Sequence, residues 1–139
     1  MGFRDIAQIA GSAMTAQTIR LNTVASNLAN ADSSAKTEDQ VYRARQPVFA
    51  TVYSPTGEGD VAGARVQVMD VVESREPVKK RYEPNSPLAD ADGNVFYSNV
   101  DPVAEMTDML SASRAFSTNV EVLSRLNAMQ QDLLKLGQS

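Results

Sequence analysis

Asp90-Ala91-Asp92-Gly93-Asn94 alternates oxygen donors in the manner of a calcium-binding loop. Setting Gly93 on the glycine of such a loop puts Leu88 at its first position and Asn99 at its last. Neither supplies the ligand required there, and the segment reads as a turn. Asp70, Glu73 and Glu76 are the nearest cluster of carboxylates for cutting a cell-wall glycan. That reaction needs two carboxyl groups roughly 5–9.5 Å apart in a cleft; the plainer reading is a solvated strand and turn. Lys79-Lys80-Arg81 is a solvated surface run or a contact for an acidic partner surface. Gly57-Glu58-Gly59 lacks the lysine and the strand–helix setting of a phosphate loop. Histidine and cysteine are both absent, which removes the commonest general base, zinc ligands, thiol nucleophiles and disulfides. No catalytic, metal or cofactor site is expected.

Composition narrows the partners. The formal net charge of −4 works against nucleic acid and anionic membrane surfaces. No stretch of about 18 apolar residues exists to span a bilayer. Met1-Gly2-Phe3-Arg4-Asp5 carries an acid and leads into no apolar run, so no cleavable secretory signal is expected. Aromatics are only 6%, with no Trp, which suits long helices packed through Ala, Leu, Val and Met.

The elements that must position these residues fall into three parts: 1–32, a helix; 33–101, an extended, β-rich middle with loops; and 102–139, a second helix. In the first helix Phe3, Ala7, Ala10, Met14, Gln17, Leu21, Val24, Leu28 and Ala31 follow one another at alternating steps of four and three. That is a heptad seam, and it predicts a partner helix. The opposite face carries amides and hydroxyls from Gln8 to Asn30, with Arg20 its only charge. Uncharged polar groups can be buried once hydrogen-bonded. This face therefore reads as a polar contact with other protein, or else as the solvent side of a simple hairpin. Asp32 to Gln40 is a polar break read as a mobile loop. Val41 to Tyr53 reads as extended, with Pro47 pointing to an edge. Ser54 to Gly63 is a Gly/Pro loop. Ala64, Val66 and Val68 mark a half-buried strand, and the prolines at 77, 84 and 87 keep the chain extended or turning. Asp92-Gly93 signals a hairpin turn before a short strand at Val95 to Tyr97.

Asp101-Pro102 opens the last helix as N-cap and first helical residue, and Lys135 with Gly137 closes it. Its apolar positions form a stripe broad enough to meet two neighbours. The fold class expected is mainly α with a small β-rich middle. An antiparallel, coiled-coil-like pair of long terminal helices carries an irregular β-hairpin segment that projects from one end. Two helices cannot enclose a core, so other subunits must complete the seams, and the termini of the free chain are expected to be largely disordered.

Ala25-Ser26-Asn27-Leu28-Ala29-Asn30-Ala31-Asp32 resembles the ANNLANAxT-type signature that ends the first helix of flagellar axial proteins, the rod, hook and hook-associated subunits. Ser111 to Leu123 resembles the C-terminal helix signature of the same family. Tyr82-Glu83-Pro84-Asn85-Ser86-Pro87-Leu88-Ala89-Asp90-Ala91-Asp92-Gly93 is similar to a segment of its proximal-rod members. Ser26 and Phe116 stand where many relatives carry Asn and Tyr. The resemblance implies a structural subunit of the proximal rod, built helically with copies of itself and other rod proteins to carry motor torque to the hook. It also implies contact with MS-ring or rod-adaptor proteins, and delivery to the periplasmic space through the flagellar type III export apparatus without a cleaved signal. The candidate contact residues are Met14, Leu21, Asn22, Val24, Asn27, Leu28 and Asn30 on the first helix. On the last they are Met106, Leu110, Phe116, Val120, Leu123 and Leu126. Ordinary intramolecular core is the competing reading of the apolar ones. Two other function classes are a helical adaptor or export chaperone and, more distantly, a glycan hydrolase.

Overall fold

The computed structural model describes residues 2–56 and 60–138. Its elements run α1 (Phe3–Ala29), β1 (Ser34–Ala35), β2 (Arg45–Thr56), β3 (Asp60–Glu73), β4 (Lys79–Tyr82), β5 (Asn94–Tyr97) and α2 (Pro102–Gly137). Two long terminal helices therefore bracket a small antiparallel β-rich middle, as the sequence predicts.

The helix ends follow local chemistry. Asp5 in the first turn of α1 accepts the Gly2 amide at 2.7 Å, where a carboxylate also favours the helix dipole. At the other end Asn30 Nδ2 donates back to the Ser26 carbonyl at 2.8 Å and stops the helix. Asp101 caps α2 by accepting from the amides of Val103 (3.0 Å) and Ala104 (3.4 Å), with Pro102 behind it. The Arg20 guanidinium in the second half of α1 grips Asp108 near the start of α2, with its Nε 3.1 Å from Asp108 Oδ2. Phe3 shares a groove with Gln130, Leu133 and Leu134 near the end of α2. The helices are thus antiparallel, and the heptad seam of α1 finds its partner in the same chain. Ala10 and Val24 are buried in that seam, and Met14, Leu21 and Leu28 half-buried. Ala112 and Leu126 of α2 are buried, with Phe116 and Leu123 half-buried beside them.

Strands β2 and β3 form a long hairpin, with irregular register between Val48 and Phe49 and between Ser54 and Pro55. The loop expected over 54–63 is shorter than its Gly/Pro content implied: both strands run into it, and its tip, including Gly57-Glu58-Gly59, lies outside the described residues. On β3 the half-buried Ala64, Val66 and Val68 alternate with the exposed Arg65, Gln67 and Met69, the expected period of two. The hairpin does not project from one end, as expected, but folds back along α1. There the Val66 amide donates to Ser12 Oγ at 3.1 Å. Ser12, Ala16 and Ile19 line a shared depression with Val66 and Val68.

The second sheet has the order β1-β5-β4. Its first strand corrects the reading of 32–40 as a plain loop. Ser34 and Ala35 pair with Tyr97 and Phe96, and the Ser98 amide donates to the Ser33 carbonyl at 3.1 Å. A two-residue strand has no periodicity to reveal it. Val41, Ala44, Val95 and Val100 are buried around this sheet. Gly93 adopts φ +80°, and Asp90 Oδ1 accepts from the amides of Asp92 (2.9 Å) and Asn94 (2.8 Å), a side-chain-braced turn. Lys79-Lys80-Arg81, read as a solvated run, is strand β4. Lys80 lies over the Phe96 ring, Arg81 over the Tyr97 ring, and Lys79 Nζ donates to the Val100 carbonyl at 3.0 Å.

Candidate assembly surface

Asn27 stands where α1, β2 and α2 meet. Its Nδ2 donates to the Arg45 carbonyl (2.8 Å) and to Glu105 Oε1 (3.0 Å). Its Oδ1 accepts from the Arg45 amide and the Tyr42 hydroxyl, both at 2.9 Å. One buried amide thus uses its full capacity of two donors and two acceptor sites. The Tyr42 hydroxyl also lies 3.2 Å from Ser26 Oγ. Sequence reading placed Asn27 and Asn30 at the exit of the helix as hydrogen-bonding residues, and both act there.

Beside this hub lies a cleft of about 520 Å³ lined by Arg20 and Val24 of α1, by Arg45, Gln46, Pro47 and Phe49 of β2, and by Ala104, Glu105 and Asp108 of α2. Its charges are largely answered within the chain. Arg20 pairs with Asp108, and Arg45 reaches Glu73 at 3.6 Å and covers the Tyr42 ring. Burial holds Glu105 above the ordinary glutamate value of 4.5; the hydrogen bond from Asn27 opposes that shift, and the Asp108 and Asp101 carboxylates add to it. Phe49 is 40% exposed at the cleft wall. By register the wall continues through Thr51 and Tyr53, because Phe49, Thr51 and Tyr53 stand opposite Val68, Val66 and Ala64 on one face of the hairpin.

The contact residues expected from sequence separate into two groups. Val24, Asn27 and Leu126 are buried in the chain's own packing, and Met14, Leu21, Leu28, Asn30, Phe116 and Leu123 are half-buried. Met106 (57%), Leu110 (61%) and Val120 (43%) are exposed, and so is Asn22. The expected polar contact between the α1 face and other protein is also met partly from within. On that face Ser12 bonds to Val66 of β3 and Asn27 to Arg45 of β2, and Ser26 meets Tyr42 just ahead of β2.

Sequence reading missed one pattern on α2. Val103 precedes Met106 and Leu110, and Ser113, Ser117, Val120 and Ser124 continue the same alternation of three and four. All seven are exposed and none is charged. At 3.6 residues per turn, Met106 and Leu110 lie about 160° round the helix from Asp108. One side of α2 therefore faces the cleft, and the opposite side carries a second heptad seam. The broad stripe seen in the sequence is this pair of faces merged. The same spacing rule that found the α1 seam could have separated it.

The exposed area shows how unfinished the molecule is. The chain exposes 9538 Å² for 15.0 kDa, where the mass scaling of compact monomers gives about 7,000 Å², an excess of about 2,500 Å². A standard protein interface takes about 800 Å² from each partner. Residues 127–138, the last three turns of α2, are exposed throughout.

Of the carboxylates named for chemistry, those of Asp70 and Glu73 have local partners, and Glu76 is tied in through its backbone. Asp70 Oδ1 accepts from the Val71 amide at 2.7 Å, Glu73 faces Arg45, and the Glu76 carbonyl accepts from Arg43 and Asn99, both at 3.0 Å. Among the described residues no cluster of three metal-ligating side chains forms, and no helix is long and apolar enough to cross a membrane.

An unfinished helical pair with an uncharged exposed seam defines a subunit made for assembly. Two family models match the two ends of the chain. "Flagella basal body rod protein" covers residues 8–34, and "Flagellar basal body rod FlgEFG protein C-terminal" covers residues 91–136. Proteins described as flagellar basal-body rod protein FlgC are similar over full length. That of Escherichia coli O6:H1 is 51% identical over 138 residues, that of Salmonella typhimurium 49% and that of Yersinia enterocolitica 43%. Each alignment covers 99% of this chain and 100% of the relative. The chain belongs to the flagellar basal-body rod protein FlgC family.

Proposed function

We propose that this chain is a structural subunit of the flagellar basal-body rod that packs helically with copies of itself and with other rod proteins and carries motor torque toward the hook. The observation that carries this reading is the exposed α2 seam on a chain with full-length kinship to rod proteins. Torque has to cross subunit boundaries without slippage. Side chains locked into the holes of a facing helix resist sliding because packed interiors deform little.

The residues put forward for contact with neighbours are Met106, Leu110 and Val120, with the half-buried Met14, Leu21, Leu28, Phe116 and Leu123 at the margins of the same helical pair. Its site of action in this reading is the rod in the periplasmic space, reached through the flagellar type III export apparatus, with MS-ring or rod-adaptor proteins among its neighbours.

Leu110 makes a sharper test than Leu28. A charge at the half-buried Leu28 disturbs the chain's own helix pair, whereas Leu110 points outward. In a bacterium making Leu110→Asp as its only copy, the purified protein is expected to keep the wild-type helical circular dichroism while swimming is lost and the protein is absent from isolated basal bodies. Normal swimming by that strain would sink the assignment of this seam.

A further inference from the structure

We propose that the cleft between β2, α1 and α2 is a socket for the outward α2 seam of a second copy of this chain, giving a head-to-tail contact. The inference rests on the rod-subunit reading and goes beyond it by naming which two surfaces meet.

The occupant follows from three observations. First, the two surfaces lie on opposite sides of one helix. Ala104, Glu105 and Asp108 face the cleft, and Val103, Met106 and Leu110 face away from it. A contact between two different faces is heterologous, and repeating it builds a ring where the rotation closes and an open helical array where it does not, whereas a contact between two identical faces closes at a dimer. Secondly, the charges are compatible. The seam from Val103 to Ser124 has none on its line, and the cleft pairs Arg20 with Asp108 and Arg45 with Glu73 and holds Glu105 through the hydrogen bond from Asn27, so an uncharged helix meets no charged group that lacks a partner. Thirdly, the areas agree. An excess of about 2,500 Å² is enough for a donor face and an acceptor face of about 800 Å² each, with area left for lateral neighbours. An isologous contact through the seam would leave the cleft and the exposed Phe49 and Tyr53 uncovered.

Both surfaces also carry apolar side chains at the point of contact. Val103, Met106 and Leu110 are the bulky end of the seam, and the apolar surface of the cleft is Val24, Pro47, Phe49 and Ala104. Beyond Leu110 the seam narrows to Ser113 and Ser117, small side chains that let a facing surface approach the helix backbone.

Phe49→Cys with Leu110→Cys tests the contact. The chain has no cysteine of its own, so the two thiols are unique, and both positions are exposed. In rods isolated from cells making only the double variant, a short bis-maleimide is expected to link copies into a ladder of dimers, trimers and longer products. Leu110→Cys alone should give less than a tenth of that product. Rods that contain the double variant but give no ladder overturn the proposal and leave the rod reading standing. A dimer from Leu110→Cys alone overturns it in favour of the isologous contact. Absence of the unmodified chain from rods sinks the rod reading and this proposal together. As a second readout, Phe49→Arg keeps the helical circular dichroism and lowers incorporation at least tenfold; unchanged incorporation counts against the socket.

Discussion

Asn27 ties three segments of backbone with one side chain, and the cost of losing it falls on Arg45. Its amide and carbonyl both bond to the Asn27 side chain, so Asn27→Ala takes a partner from a donor and from an acceptor. Each buried orphan costs about 1–3 kcal/mol, and a loss of about 2–4 kcal/mol in urea unfolding is expected. A change below 0.5 kcal/mol would mean that water replaces the amide. Glu105 next to it gives a pH-dependent prediction. Its folded value lies above 4.5, so between 4.5 and that raised value the native state binds more protons than the unfolded one. Stability from this group is therefore present at low pH and falls as pH rises through that window. Glu105→Gln keeps an acceptor for Asn27 and removes the half-buried charge. It is expected to raise the urea midpoint at pH 7 and to leave it unchanged below 4.5. An equal effect at both pH values would show that packing, not charge, governs the site.

At the scale of elements, the β4–β5 connection depends on one backbone conformation. Gly93 has φ +80°, and a Cβ there would lie 2.8 Å from Tyr82 Cε2 and 3.2 Å from Pro84 Cβ. Gly93→Ala combines an unfavourable dihedral with a clash, and about 1–3 kcal/mol of destabilisation is expected by thermal or urea unfolding. The edge strand β4 is protected by its charges: Lys79, Lys80 and Arg81 discourage pairing with a second sheet, while the Lys80 ammonium lies over the Phe96 ring and the Arg81 guanidinium over the Tyr97 ring. The long hairpin β2–β3 gains its support from α1 through Ser12 and the Val66 amide. An isolated two-stranded hairpin is marginal in water, so its stability is tied to that helix.

The whole molecule is an elongated helix pair with a hairpin along one side and too little core for its mass. Lone helices gain most of their stability from packing, and residues 127–138 are exposed throughout, meeting α1 at the groove that Phe3 shares with Gln130, Leu133 and Leu134. In the free protein, hydrogen exchange over 127–138 is expected to be close to that of an unfolded peptide, while Val95 and Val100 exchange slowly; in rods the same helical turns are expected to become protected. Strong protection of 127–138 in the monomer would mean the helix needs no neighbour. The same excess area accounts for the exposed Leu133 (54%) and Leu134 (68%) on a chain that carries a net charge of only −4.

Much of this architecture was legible in the residues. The alternating four and three steps from Phe3 to Ala31, the Asp101-Pro102 start and the Ala64-Val66-Val68 alternation each report a local rule, because a helix or strand imposes its own period on any chain that forms it. Gly93 and Asn27 were legible for the same reason, one through backbone freedom and the other as an amide at a helix exit. What stayed hidden was decided by neighbours distant in sequence. Nothing in residues 34–35 marks a strand until Phe96 and Tyr97 arrive beside them, and the amides and hydroxyls of α1 cannot show whether their partner is the same chain or another. Only the return along α1 of the β2–β3 hairpin and of the segment leading into it settled that Ser12, Ser26 and Asn27 bond within the chain. By filling one side of the helix pair, that return also left the Val103–Ser124 line of α2 facing outward. Periodicity names a face; which face is covered depends on where the rest of the chain comes to lie.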